Sequence, residues 1–295
     1  MEPGPYSDRV PSTISELLEL ERVASDFFLG ATPDYPWGRV YGGQVVAQAL
    51  AAASATVDPT HQVHSLHAYF VLAGQPKVPI LYEVDRLRDG RSFSTRRVVA
   101  RQASGAILNL DASFQRVEPD LDIQESLLPV GVPSPESIER SPWGGLADVR
   151  EVPRAGAARS QVWLRFPERL PDDLVTQLCA LAYLTDYNPM DAIMASHPNG
   201  DQWESLMNAS LDHSVWFHRA ARADEWLLFD QQGHGLVNAR GLTMGTVFSQ
   251  AGVHVATVVQ EGLVRSPKGS SASGASGVAR AVASADEPSQ ETKTS

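Results

Sequence analysis

The hydrophobic pattern divides the chain into a helical opening, a block of long strands, an irregular stretch, and a second helix-then-strand block. Thr13-Ile14-Ser15-Glu16 has the spacing of a capping box and predicts a short helix through Leu17, Leu18 and Leu20. Residues 23–29 read as a strand. From Gly38 to Leu50 the chain runs Gly-Arg-Val-Tyr-Gly-Gly-Gln-Val-Val-Ala-Gln-Ala-Leu, and no further glycine or proline follows until Pro59. Two glycines ahead of an alanine-rich apolar run predict a tight turn opening into a buried helix, whose first amides are left to face a carbonyl oxygen or an anion. Strand character then fills 63–72, 80–87 and 93–102, and 106–115 alternates with Ala106, Leu108, Leu110, Ala112 and Phe114 on one face. One helix followed by several long strands with short turns predicts an α+β layer, an antiparallel sheet wrapped on that helix.

Between 117 and 159 the periodicity disappears and prolines stand at 119, 129, 133, 135, 142 and 153, as in a linker laid over a surface. Gln161-Val162-Trp163-Leu164-Arg165-Phe166 reads as a strand, and 172–194 as a helix that Pro189 interrupts. Strands are expected at 210–217, 225–229, 241–249 and 253–259. The two blocks look like a diverged repeat: Tyr69-Phe70 precedes Gln115 by about the spacing at which Trp216-Phe217 precedes Gln260, and a helix precedes each aromatic strand. The expected division is 14–118, a linker at 119–159, 160–265, and a tail at 266–295 whose Ser/Ala/Gly-rich composition predicts disorder.

Composition narrows the partners. The net charge of −11 and the isoelectric point near 5.2 argue against general binding to nucleic acid or anionic membranes. A polyanionic ligand therefore needs a local basic patch, which Lys77, Arg86, Arg88, Arg91, Arg96, Arg97 and Arg101 can supply or, equally, form as a solvated strand face. The single cysteine, Cys179, permits no intrachain disulfide and sits in an apolar helical run as an inert thiol. No secretory pattern, no apolar run long enough to span a bilayer and no Ser-Lys-Leu ending are found, so a cytoplasmic protein is expected by elimination.

Several motifs occur together and in order. They are Gly42-Gly43 with its helix, Val63-His64-Ser65-Leu66-His67-Ala68-Tyr69-Phe70, the run from Leu87 to Val98, Ala112-Ser113-Phe114-Gln115, Tyr183-Leu184-Thr185-Asp186-Tyr187-Asn188, Asp212-His213-Ser214-Val215-Trp216-Phe217-His218-Arg219 and Thr257-Val258-Val259-Gln260-Glu261-Gly262. From about Ser15 to Arg265 the chain resembles the bacterial type II acyl-CoA thioesterase family. The resemblance implies a double hotdog, two antiparallel sheets each wrapped on a long helix. It also implies hydrolysis of fatty acyl-CoA without metal or cofactor, an acyl-CoA substrate as partner, and a homo-oligomer. Carried across residue by residue, the family's water-activating trio falls on Asp186, Ser210 and Gln260, with Ser210 standing where many relatives have threonine. Gly42 and Gly43, with Arg88 and Arg91, are the expected substrate-binding residues.

The chemistry suits those residue types. Thioester hydrolysis needs a positioned water, a proton acceptor and donors for the developing oxyanion. A carboxylate, a hydroxyl and an amide fill those roles for water. The chain has no Gly-x-Ser-x-Gly elbow, and in a strand the neighbours Asp212, His213 and Ser214 point to opposite faces and cannot converge as a triad. His64, His67 and His213 read as core or interface histidines bonded to backbone. No metal-site spacing is present. Oxyanion donors are expected either from amides near Asn188 or from the Gly42-Gly43 turn. Two rivals remain. Double-hotdog enoyl-CoA hydratases carry Asp-x-Asn-Pro-x-His, which Asp186-Tyr187-Asn188-Pro189-Met190-Asp191 matches except for the histidine. A non-catalytic acyl-CoA-binding module is the other.

Overall fold

The computed structural model describes residues 10–142, 144–153, 158–194, 197 and 206–265. Helix α1 (Ile14–Leu18) is capped by the Thr13 hydroxyl, which accepts from the Glu16 amide at 3.2 Å. The Glu16 carboxylate reaches back to the amide of Ser12 at 2.8 Å, so the predicted capping box closes one residue early. Strands β1 (Glu21–Ala24) and β2 (Phe27–Gly30) form a hairpin where a single strand was expected. The polar pair Ser25-Asp26 makes the turn, and Asp26 is held there by Arg86 at 2.8 Å.

Helix α2 (Gly42–Ser54) begins at the glycine pair as predicted. Alanines and valines bury nearly its whole circumference, and its two polar interior residues are satisfied side by side. Gln44 takes the Tyr35 hydroxyl, and Gln48 takes the Tyr82 hydroxyl while donating to the Leu17 carbonyl at 2.8 Å. Strands β3 (His61–Phe70), β4 (Ile80–Asp89), β5 (Phe93–Gln102) and β6 (Gly105–Arg116) follow in the predicted order, all antiparallel.

The proline-rich stretch is more than a surface linker. A turn of 3-10 helix forms at Pro135–Ser137, and β7 (Asp148–Glu151) pairs with β8 (Arg159–Arg165) at the sheet edge. Leu128, Val132 and Ile138 pack on a small core of Val152, Trp163, Trp226, Leu228 and Phe248, and the Trp163 indole N–H donates to the Pro133 carbonyl at 3.0 Å. The aromatic bulk of two tryptophans draws apolar residues of an otherwise non-periodic segment onto the sheet.

The second block contains α3 (Leu174–Thr185), then α4 (Asp191–Met194), with the expected break at Pro189. Strands β9 (Met207–Ser210) and β10 (Asp212–Phe217) replace one predicted strand and are separated at Leu211; β11 (Leu227–Val237), β12 (Arg240–Ser249) and β13 (His254–Arg265) complete the sheet. The expected two sheets are one. Among the described residues, all thirteen strands belong to a single sheet of order β1-β2-β4-β5-β6-β3-β10-β13-β12-β11-β8-β7, with β9 on β13. The join is β3 on β10, from Asp212 opposite Tyr69 to Trp216 opposite Ser65. Pairing these strands removes two exposed edges at once. Outward from that join the two halves repeat the same order, with helices α2 and α3 packed on each other against one continuous core. The predicted tail at 266–295 lies outside the described residues.

Candidate active site

The site forms where the N-terminus of α2 meets the C-terminus of α3. Asp186 caps α3 with φ −89° and ψ 6°; the chain then turns through Asn188 at φ 46°, and Pro189 prevents the helix from continuing. The segment after the turn is seated on glycines of three neighbouring strands. A Cβ on Gly262 falls 2.6 Å from the Met190 sulfur, and one on Gly241 falls 2.5 Å from Ile193. Side chains at those strand positions would lift the segment and move Asp186 with it.

The glycine pair meets Asp186 from the other side. A Cβ on Gly42 falls 2.6 Å from Asp186 Oδ2 and 2.8 Å from the Phe70 ring, so this close approach demands glycine. Tyr41 ties the two helix ends together by donating its hydroxyl to the Tyr183 carbonyl at 3.0 Å.

Burial pushes the Asp186 carboxyl from 3.8 up to about 7; the Gly43 amide, the Gln260 side chain and the charge of Arg39 act in the opposite direction. Its Oδ1 is buried without a hydrogen-bond partner among the described residues. A carboxylate poised near neutrality with one unsatisfied oxygen is a competent proton acceptor. Ser210 ends β9 and pairs with Gly262, and Gln260 lies two residues before that glycine on β13. The Gln260 amide donates to Ser210 Oγ at 2.9 Å. The expected trio is therefore gathered at one place from α3, β9 and β13.

Not every sequence expectation converges there. Arg88 and Arg91 lie at the β4–β5 turn. Their neighbour Arg96 is fully buried and grips Thr56, just past the C-terminus of α2, at 2.8 Å. A thirteen-residue helix is about 20 Å long, so Arg88 and Arg91 lie at the far end of α2 from Gly42 and Asp186 within one chain. Arg96 itself, counted in the basic patch, is used up inside the fold. The Gly43 amide, an expected oxyanion donor, is directed at the Asp186 carboxyl instead. Asn188 does sit beside the site, in the turn that follows Asp186.

Among the described residues, His64, His67 and His213 bond to side chains and not to the backbone as expected. His64 meets the Ser113 hydroxyl at 2.8 Å and His67 meets Ser214 at 3.0 Å. His213 is fully buried between Thr185 Oγ1 at 2.8 Å and Gln260 Oε1 at 2.6 Å. Its neighbours do turn away as strand alternation requires: Asp212 accepts from the Glu261 amide and Ser214 meets His67. Sequence reading missed His213 and Thr185 as partners of the site, although Thr185 adjoins Asp186 and His213 lies three residues after Ser210.

Known proteins match this chain in both halves. The family described as acyl-CoA thioesterase N-terminal domain matches residues 31–115, and the family described as acyl-CoA thioesterase matches residues 146–263. Acyl-CoA thioesterase 2 of Haemophilus influenzae is 33% identical over 278 residues, covering 86% of this chain and 97% of that protein. Human acyl-coenzyme A thioesterase 8 is 33% identical, covering 88% of this chain and 91% of that protein. Among solved structures, the acyl-CoA thioesterase II TesB2 of Mycobacterium marinum superposes with a TM-score of 0.79 at 41% identity, over 87% of this chain and all of that one. A protein of Alicyclobacillus acidocaldarius described as having a hot dog fold superposes at 0.72 with 21% identity, a likeness of fold alone. With matches of this extent at both ends and through the middle, the chain belongs to the TesB-like type II acyl-CoA thioesterase family and is a thioester hydrolase.

Proposed function

We propose that this hydrolase cleaves fatty acyl-CoA to free acid and coenzyme A by direct attack of a water held between Asp186, Ser210 and Gln260. Asp186 accepts the water's proton, the oxygen adds to the thioester carbonyl carbon, and collapse of the tetrahedral intermediate breaks the C–S bond. The proton on Asp186 then passes to the departing sulfur. Ser210 and Gln260 fix the approach of the water, since a hydroxyl and an amide donate and accept in set directions. The observation that carries the reading is the buried, unpartnered Oδ1 of Asp186 on a carboxyl held near neutrality, beside the Gln260–Ser210 hydrogen bond. Cys179 is no rival nucleophile, because burial pushes its thiol well above the ordinary range.

In the same reading the chain is a double hotdog. One unit comprises α2 with β3 to β6 and the other α3 with β10 to β13, within boundaries of 14–118 and 160–265. The mirrored strand order about the β3–β10 join supports it. The acyl chain is expected between helix and sheet, beside the Gly42-Gly43 helix start, and the protein is expected to act as a homo-oligomer in the cytoplasm.

A thiol-release assay across short, medium and long saturated acyl-CoA esters, run with and without chelator and alongside crotonyl-CoA hydration, tests the function. Coenzyme A release that survives chelation supports it. Release abolished by chelator, or hydration alone, overturns it.

A further inference from the structure

We infer that His213 is a positioning residue for this reaction: its Nδ1–H donates to Gln260 Oε1 and so fixes the Gln260 amide with its nitrogen toward Ser210 and Asp186. The inference rests on the proposed roles of Asp186, Ser210 and Gln260. Four side chains form one continuous hydrogen-bond chain. Thr185 Oγ1 lies 2.8 Å from His213 Nε2, His213 Nδ1 lies 2.6 Å from Gln260 Oε1, and Gln260 Nε2 lies 2.9 Å from Ser210 Oγ. Thr185 precedes Asp186 directly in the chain, so the network returns to its starting point and ties the end of α3 to β10 and β13.

Such a chain has two self-consistent polarities. In the first, the Thr185 hydroxyl turns from the Ala182 carbonyl, 2.7 Å away, to donate to Nε2, Nδ1–H donates to Gln260 Oε1, and the Gln260 nitrogen donates onward; the lost Ala182 bond is the cost of this polarity. In the second, Thr185 gives its proton to the Ala182 carbonyl at 2.7 Å and accepts from Nε2–H. Nδ1 then accepts from a flipped Gln260, whose oxygen faces Ser210 and Asp186. The carboxylate decides between them. An ionised Asp186, the form that takes a proton from water, can only accept, which requires the amide nitrogen on that side. A flipped amide would set its oxygen against the carboxylate and consume the Ser210 proton.

The chosen polarity has a consequence for the chemistry. Ser210 Oγ accepts from Gln260, which leaves its own proton free for the water or the developing oxyanion. His213 supports this as a neutral imidazole, since complete burial lowers its pKa to about 4. The protein thus uses a histidine at the site to lock an amide, with no proton transfer through the ring.

The first test is the position of the imidazole proton, read by 15N NMR of the histidine-labelled protein at pH 8.5, with the His213 signals assigned by their loss in His213→Asn. A proton on Nδ1 is expected; a proton on Nε2 overturns the inference. The second is kinetic. His213→Leu removes the donor at similar bulk and is expected to lower kcat by roughly tenfold to a hundredfold, the scale for a displaced catalytic group, with KM within about threefold. His213→Asn carries an amide N–H near the Nδ1 position and is expected to recover most of the loss. His213→Leu/Gln260→Ala is expected to lose no more than Gln260→Ala alone, because both act on one amide. Normal kcat in His213→Leu beside an impaired Gln260→Ala overturns the positioning role and leaves the trio standing. Normal kcat in Gln260→Ala overturns the trio, and this inference with it.

Discussion

Replacing Asp186 by asparagine is expected to stabilise the protein at alkaline pH while disabling it. Burial raises the carboxyl from 3.8 to about 7, so the folded state binds the proton more tightly than the unfolded state. For such a group the folded state is most favoured below about pH 4. Stability declines as the pH rises from about 4 to 7, and then stays level. Three pKa units correspond to about 4 kcal/mol at the plateau. Between pH 5 and pH 8.5 the change is about 3 kcal/mol, because a little over one unit of the penalty is already present at pH 5. Asparagine carries no such charge. Its own cost, an amide facing the fixed Gln260 nitrogen, does not vary with pH and cancels in the comparison. At about 2 °C per kcal/mol for a chain of this size, the gain in Tm of Asp186→Asn over the unmodified protein should be about 5 °C larger at pH 8.5 than at pH 5. Differential scanning calorimetry at the two pH values reads this directly. A gain that is the same at both, or smaller at pH 8.5, refutes a buried carboxyl with a raised pKa.

Three further outcomes follow from the same geometry. The profile of kcat/KM against pH should rise along a limb with apparent pKa near 7 and level off above it; a limb near 4, or none, contradicts Asp186 as the base in the free enzyme. Ser210→Ala and Gln260→Ala should each lower kcat by roughly tenfold to a thousandfold, as loss of one preorganised donor does, and the double variant should lose far less than the product; full additivity in steady-state kinetics would separate their roles. Gly42→Ala should lower both kcat and Tm, because its Cβ falls 2.6 Å from Asp186 Oδ2; wild-type values for both would mean that the two helix ends have room to part.

Strong local patterns were legible in the sequence because each has a local cause. The glycine pair ahead of Gln44 began α2, Pro189 broke the helix after Asp186, and the alternation from Ala106 to Phe114 predicted β6. The trio was legible only through family motifs, since nothing near Ser210 or Gln260 in sequence says that β9 and β13 pair beneath Asp186. Expectations failed where long-range pairing decides. The β3–β10 join fuses two expected sheets, and Trp163 and Trp226 draw a proline-rich stretch onto β8. Arg96 is charged and looks solvated in sequence, yet it serves the end of α2 because the unpaired Thr56 carbonyl there needs a donor. His213 is a core histidine as expected, but its bonding to side chains in place of backbone was not legible because Thr185 and Gln260 are separated from it by 28 and 47 residues.

The central claim, that Asp186 activates water for attack on the thioester, is tested most directly by the kcat of Asp186→Asn on an acyl-CoA substrate under saturating conditions, with substrate binding measured separately. The account predicts a kcat lower by roughly two to four orders of magnitude, the span expected for loss of a general base, with the variant folded and binding intact. A kcat within about threefold of the unmodified enzyme, with binding retained, contradicts it, since general-base catalysis by this carboxylate would then contribute nothing measurable.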